Sequence, residues 1–319
     1  MGDFIKKVRA FLENLPRFLE NKPHFLRPLP YPLPSIQFSH FFTMSYNKKA
    51  VLAANTAAIG LLLRLEKEQR TATEEEQKVL RSYQGFGGLK CILNRTDQPE
   101  DIRYWSKYEQ DLFAPTCALK QLIYREAPSA DMAKRYWESI KASVLTSFYT
   151  DTRIVNAIAD SLEKTDVTFR TCLDPSLGMG AFAETLAPHV GRVDAFEKDL
   201  LTARIAQSLH PLGQSTIFVQ QAPFESIEER ADADKYDLIA SNIPFGDFMV
   251  YDRAYNKGQD VIKKESTRAI HNYFFIKGLD SIREGGVLAF ITSQGLLDAP
   301  RNEAFRRYLM ENSKLISAI

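Results

Sequence analysis

The chain is poor in the residues from which metal sites and disulfide frameworks are built. Its three cysteines, Cys91, Cys117 and Cys172, are far apart and form no CxxC pair. That spacing argues against a disulfide scaffold or a zinc site and fits a reducing compartment. The five histidines, at positions 24, 40, 189, 210 and 271, are equally scattered, so no metal is expected. No apolar run is long enough to span a bilayer. The most apolar stretch, residues 50–65, contains Asn55 and Thr56 and reads as buried helix. The N-terminus lacks the long apolar core and small-residue cleavage site of a secretory signal. An excess of one charge sign is missing too. With a net charge of +1, the chain has no global basic field, and any polyanion must be met by local patches.

What is present suffices for about two domains at the usual ~100–200 residues each. Of the 319 residues, 45% are hydrophobic, enough for a full-sized core. Residues 1–43 read as an amphipathic helix over 3–20, with Pro16 kinking or ending it, and a proline-rich linker over 23–34. Residues 44–145 read as a helical region: one long helix over 47–69, a capping box at Thr73–Glu76, a break at Gly85-Phe86-Gly87-Gly88, and a further helix over 130–145. From residue 146 the rhythm changes. Helices are expected over 151–163, 181–187, 200–209, 269–282 and 302–312. Strands are expected over 167–173, 192–196, 215–219, 237–240 and 287–292, with a sixth beginning at 315. The alternation predicts an α/β fold with a doubly wound, mainly parallel sheet, whose ligands bind outside the carboxyl ends of the central strands.

Two segments lie at such strand ends. The first, Leu173-Asp174-Pro175-Ser176-Leu177-Gly178-Met179-Gly180, runs from a strand into a glycine turn that lets backbone approach a ligand closely. Gly178 to Ala183 also fits the G-x-G-x-x-G/A dinucleotide pattern, so the turn alone does not separate NAD from S-adenosylmethionine. Glu197, ending the second strand, could accept both ribose hydroxyls of either cofactor. The second segment, Ser241-Asn242-Ile243-Pro244-Phe245-Gly246, breaks the tie. An exocyclic amine attacks a methyl sulfonium only when its lone pair is freed from ring conjugation. The Asn242 side-chain oxygen and the Ile243 carbonyl are two acceptors for the amine hydrogens. Pro244 fixes the backbone direction, and Phe245 offers a stacking face worth roughly 1–3 kcal/mol. No placed Cys or His is needed.

These residues resemble S-adenosylmethionine-dependent DNA N6-adenine methyltransferases, over about residues 146–319. The resemblance implies a Rossmann-like class I methyltransferase domain. It implies that Phe148-Tyr149-Thr150 covers the methionine end of the cofactor, and that Asp174, Pro175, Ser176, Gly178, Gly180 and Phe182 form its loop. Glu197 is then the ribose acid, Phe224 packs on the cofactor adenine, and Asn242 to Phe245 occupy the place of the family's Asn-Pro-Pro-Phe/Tyr. The 46–88 segment, with His271-Asn272-Tyr273-Phe274-Phe275, is similar to the methylase region of large methylase–helicase proteins of bacterial mobile elements. The implied partner is duplex DNA with a flipped adenine, in a bacterial cytoplasm, without a membrane. A downstream helicase or recognition domain outside this chain is a further expected partner. Three departures stand out: Ile243 replaces the first proline, giving a less rigid turn; Pro223 replaces an Asp that holds the cofactor's adenine amine, with Glu225 as substitute; and the sheet stops inside its sixth strand, as in a fragment. RNA or protein glutamine as acceptor, a non-catalytic cofactor- or DNA-binding module, and a nicotinamide dehydrogenase remain alternatives. His271 reads as a structural residue at a helix start. In the polar loop 247–268, Arg253, Lys257, Lys263 and Lys264 are candidates for phosphate, and Tyr251 and Tyr255 for a flipped base or its neighbours.

Overall fold

A computed structural model describes residues 47–144, 150–163, 168–227, 235–244, 246 and 248–316. The amphipathic helix and proline-rich linker expected over 1–43 lie outside them. The helical region begins with α1 (Lys48–Glu68), whose Leu52, Ile59 and Leu62 are fully buried at helical spacing. Each such side chain contributes about 1.5–3 kcal/mol of hydrophobic stabilisation. The expected capping box opens α2 (Glu74–Arg81): Thr73 Oγ1 accepts from Glu76 N–H at 3.3 Å, and Glu76 Oε2 accepts from Thr73 N–H at 3.0 Å. The glycine break that follows is held from inside. Buried Asn55 donates to the Gly85 carbonyl at 2.5 Å and accepts from Gln84 N–H at 2.8 Å, while Phe86 drops fully into the core. After three short 3₁₀ turns come α3 (Phe113–Glu126) and α4 (Ala130–Ser143).

The α/β part runs α5 (Thr152–Glu163), β1 (Phe169–Asp174), α6 (Ala181–Leu186), β2 (Val190–Glu197), α7 (Leu200–Leu209), β3 (Ile217–Gln221) and β4 (Tyr236–Asn242). It continues with α8 (Arg253–Lys257), α9 (Val261–Ser266), α10 (Ile270–Ser281), β5 (Ile282–Ile291), α11 (Gly295–Asp298) and α12 (Glu303–Asn312). The segment 247–268, expected as a polar loop, thus contains two short helices, each opened by an aspartate cap, Asp252 and Asp260. β5 starts five residues earlier than the alternation suggests. The Gly285-Gly286 pair makes this possible: Gly285 has φ +75°, and a Cβ on Gly286 would lie 2.5 Å from Ile282 Cγ1. Residues 314–316 are irregular and 317–319 lie outside the described residues, so five strands are described where six were expected.

The sheet is parallel throughout, in the order β3-β2-β1-β4-β5. The chain moves outward from β1 to β3 and then returns to place β4 on the other side of β1. The topological switch, where such sheets open a ligand crevice, therefore lies between β1 and β4. Hydrophobic cores cover both faces: α5 and α6 pack on one, α10 and α12 on the other. The helical region is joined to the sheet through α7, whose Leu201, Ile205 and Leu209 sit in the same core as α1 to α4. Among the described residues, no helix is long and apolar enough to cross a membrane.

Candidate active site

β1 ends at Asp174, which is almost fully buried. Its carboxylate accepts from the Ser241 hydroxyl at 2.7 Å and from Ser176 N–H at 3.2 Å. Ser241 is the last fully buried residue of β4 and precedes Asn242. One hydrogen bond thus ties the start of the glycine turn to the residue before Asn242, across the switch. Burial pushes the Asp174 carboxyl up to about 7, against the pull of those two hydrogen bonds.

The turn itself needs glycine for its backbone. Gly178 and Gly180 have φ of +55° and +85°, values that side chains with a Cβ rarely adopt. Space is not the constraint at Gly180, where a Cβ would meet its nearest neighbour, Leu177 Cδ1, at an ordinary 3.6 Å. The turn is fastened to β2 by Leu177 N–H on the Phe196 carbonyl (2.9 Å) and by Gly178 N–H on Glu197 Oε2 (2.8 Å). Glu197 Oε1 accepts from Asp199 N–H at 2.7 Å. Burial, reinforced by the neighbouring Asp199 charge, raises the Glu197 carboxyl to about 7 despite these backbone donors. Met179, between the two glycines, packs against the core of the helical region. Ser139 of α4 donates to the Asp199 carboxylate and accepts from Leu200 N–H at 3.1 Å.

The geometry fits S-adenosylmethionine. Each Glu197 oxygen spends one lone pair on a backbone N–H and keeps capacity for a ribose hydroxyl. The left-handed turn carries no side chain at 178 and 180, so its backbone can approach a ligand closely. Other residues of the expected loop lie beneath it: Phe182 is 3% exposed and belongs to the core under the sheet. Phe224 is 2% exposed, its ring 4.9 Å from Phe274 and 6.1 Å from Tyr273 between centroids, so it meets its aromatic neighbours edge-on or tilted. Glu225 lies 3.8 Å from Lys198 Nζ. Thr150 is partly buried before α5; Phe148, Tyr149 and Phe245 lie outside the described residues.

Across the switch, Asn242 is partly buried at the end of β4, followed by a fully buried Ile243 and a partly buried Pro244. Ile243 stiffens the turn by a route unavailable to proline: its N–H donates to the Ile291 carbonyl of β5 at 3.1 Å, and its side chain fills the core. The turn is therefore anchored at the position where the sequence suggested looseness. Beyond it, His271 Nδ1 lies 3.2 Å from the Gly246 carbonyl and 3.4 Å from Gly246 N, holding the backbone in the structural role expected of it.

Two expectations for the 247–268 segment are corrected. Tyr255 is 5% exposed and its hydroxyl donates to Asp280, so it is a core residue and cannot reach a base. Lys263 pairs with the same Asp280 at 2.6 Å. Sequence reasoning also missed Ser241 and Ser139. The signal for the first was a serine directly after the apolar run Leu238–Ala240 of a buried strand; the second carried none, because its partner is sixty residues away.

A family model described as Eco57I restriction-modification methylase matches residues 139–319. "Defense against restriction protein B" of Escherichia phage P1 is 27% identical over 175 residues, covering 54% of this chain and 7% of that protein. "Ribosomal RNA small subunit methyltransferase A" of Bacillus pumilus (strain SAFR-032) is 33% identical over 120 residues, covering 36% of this chain and 40% of that one. The chain thus spans less than half the length of either relative. Among solved structures, a type I restriction-modification system methyltransferase subunit from Streptococcus thermophilus aligns with a TM-score of 0.43 at 14% identity, covering 96% of this chain and 78% of that one.

Proposed function

We propose that this chain, which belongs to the Eco57I restriction-modification methylase family, methylates the exocyclic N6 amine of an adenine swung out of duplex DNA. S-adenosylmethionine is the methyl donor; when bound, it supplies an electrophilic methyl group. The chain's own residues bind and orient. Asp174 to Gly180 form the turn against which the donor lies, with Phe182 packed below and Phe224 behind. Glu197 takes the ribose hydroxyls, and Thr150, with Phe148 and Tyr149, closes the methionine end. Asn242 Oδ1 and the Ile243 carbonyl accept hydrogen bonds from the two amine hydrogens, one of which leaves to water as a proton when N6 bonds to the methyl carbon. Pro244 directs the backbone and Phe245 stacks on the base. Extruding the adenine costs a few kcal/mol, which contacts around the pocket must offset.

The observation that carries this reading is the Ser241–Asp174 hydrogen bond, which sets the donor turn and the acceptor segment side by side at the switch. A helicase or recognition domain outside these residues would select the site, in a bacterial cytoplasm. The kinship to a protein named as a ribosomal RNA methyltransferase makes RNA the acceptor to test beside DNA. Tritiated S-adenosylmethionine is incubated with the protein and, separately, unmethylated genomic DNA, total RNA and total protein. Label in DNA that vanishes with Asn242→Ala is expected. Label confined to RNA or protein overturns the proposal.

A further inference from the structure

Immediately past the acceptor segment the chain alternates anchored and exposed residues. Gly246 adopts φ +133°, and a Cβ there would lie 2.8 Å from Phe248 Cε2, so the Phe248 ring lies over this glycine. Val250 is buried and its N–H donates to the Thr267 carbonyl at 2.8 Å. Asp252 is buried as well. One oxygen caps α8 through Ala254 and Tyr255 N–H; the other accepts from the Tyr273 hydroxyl at 2.7 Å and from Lys277 Nζ at 3.1 Å. Between these anchors three large side chains face solvent: Phe248 at 44%, Met249 at 78% and Tyr251 at 69% exposure.

A solvated connection needs no such side chains, and a loose one would fold them inward. Here their backbone is held at Val250 and Asp252, so part of the entropy of ordering the tip is spent before any partner arrives. Just after the tip, Arg253 and Lys257 of α8 are exposed and pair with no acid among the described residues. A largely apolar tip followed by exposed cations, beside the residues assigned to a flipped base, matches duplex DNA: apolar side chains wedge between base steps and cations take phosphates.

Resting on the reading of the site as a DNA methyltransferase, we propose that Phe248, Met249 and Tyr251 form a wedge that enters the base stack beside the target adenine and holds the duplex open, with Arg253 and Lys257 on the adjoining phosphates. The wedge offsets the unstacking cost of the extruded base, so it matters only when that cost exists.

The test uses a duplex carrying the site that the wild-type chain methylates in genomic DNA, with the target adenine either paired with thymine or opposite an abasic position. The triple variant Phe248→Ala, Met249→Ala, Tyr251→Ala is expected to methylate the paired substrate roughly 10–100-fold more slowly, since unstacking a step costs a few kcal/mol. It should recover to within about threefold of wild type on the abasic substrate, with S-adenosylmethionine affinity unchanged, by the same reasoning. Arg253→Gln with Lys257→Gln should lower the salt dependence of DNA binding by about two phosphate contacts. Equal rates of wild type and triple variant on the paired substrate overturn the wedge alone, as does a loss that the abasic substrate fails to rescue. Absence of DNA methylation by the wild type overturns the functional reading and the wedge with it.

Discussion

Asn242→Ala is expected to lower methyl transfer to DNA by about 10²–10³-fold or more while leaving S-adenosylmethionine affinity within about twofold. The adenine amine is a poor nucleophile because its lone pair is shared with the ring. Acceptors aimed at its hydrogens act on the reacting nitrogen, so their removal slows transfer rather than weakening donor binding. Asn242 stands at the end of β4 and is only partly buried, whereas the residues fixing the turn are its neighbours: Ser241 on Asp174, Ile243 on Ile291. These anchors at 241 and 243 are untouched by truncation at 242, and a thermal melt of the variant checks that the scaffold is kept. Asn242→Asp keeps an acceptor and should retain measurable activity. Calorimetric titration with the donor and initial rates on DNA separate the two quantities. A parallel loss of both would mean that Asn242 supports the fold or the donor site rather than the amine.

Glu197→Ala is expected to weaken S-adenosylmethionine binding by about 100-fold or more, because in the proposed role it removes two ribose acceptors, and it also strands two backbone donors that rest on it. Gly178 N–H and Asp199 N–H both rest on this carboxylate, so the glycine turn and the start of α7 lose their common anchor. The same group gives a pH signature. Burial, reinforced by Asp199, raises its carboxyl to about 7, and in the proposed role only the ionised form would accept from ribose hydroxyls through both oxygens. Donor affinity should be level above about pH 7 and fall by about tenfold per unit below it. Stability of the unliganded chain moves the opposite way. A carboxyl raised above its unfolded value keeps its proton better in the fold, so its contribution is full below about 4.5 and declines as pH rises to about 7. Asp174, raised by burial from 3.8, adds in the same direction. Calorimetry of donor binding from pH 5.5 to 8.5 reads the first trend, and thermal melts over that range read the second. Affinity independent of pH across 7 would remove Glu197 from the ribose.

Local chemistry made most of the fold legible. Residues 237–240 announced the strand that spans Tyr236–Asn242, Thr73 and Glu76 announced a helix start through complementary hydrogen bonding, and Gly178 and Gly180 marked a turn that favours glycine. Each signal is contained within a few residues. What stayed hidden depends on partners distant in sequence. Tyr255 looked like an exposed aromatic because its neighbours are charged, yet its hydroxyl bonds with Asp280, twenty-five residues on. The anchoring of Ile243 depends on the β5 register, which no local pattern encodes. Nothing local marks Asp252, whose burial follows from Tyr273 and Lys277 on α10. The candidate site was legible as motifs; what fastens those motifs together was not.

Transfer of the methyl group to the adenine amine of DNA is read most directly from the modified nucleoside. Genomic DNA free of methylation is incubated with the chain and S-adenosylmethionine, digested to nucleosides and resolved by mass spectrometry. N6-methyldeoxyadenosine that appears with the wild-type chain and is missing with Asn242→Ala is the predicted result. Methylated cytosine in its place, or unmodified DNA alongside methylated RNA, would contradict it.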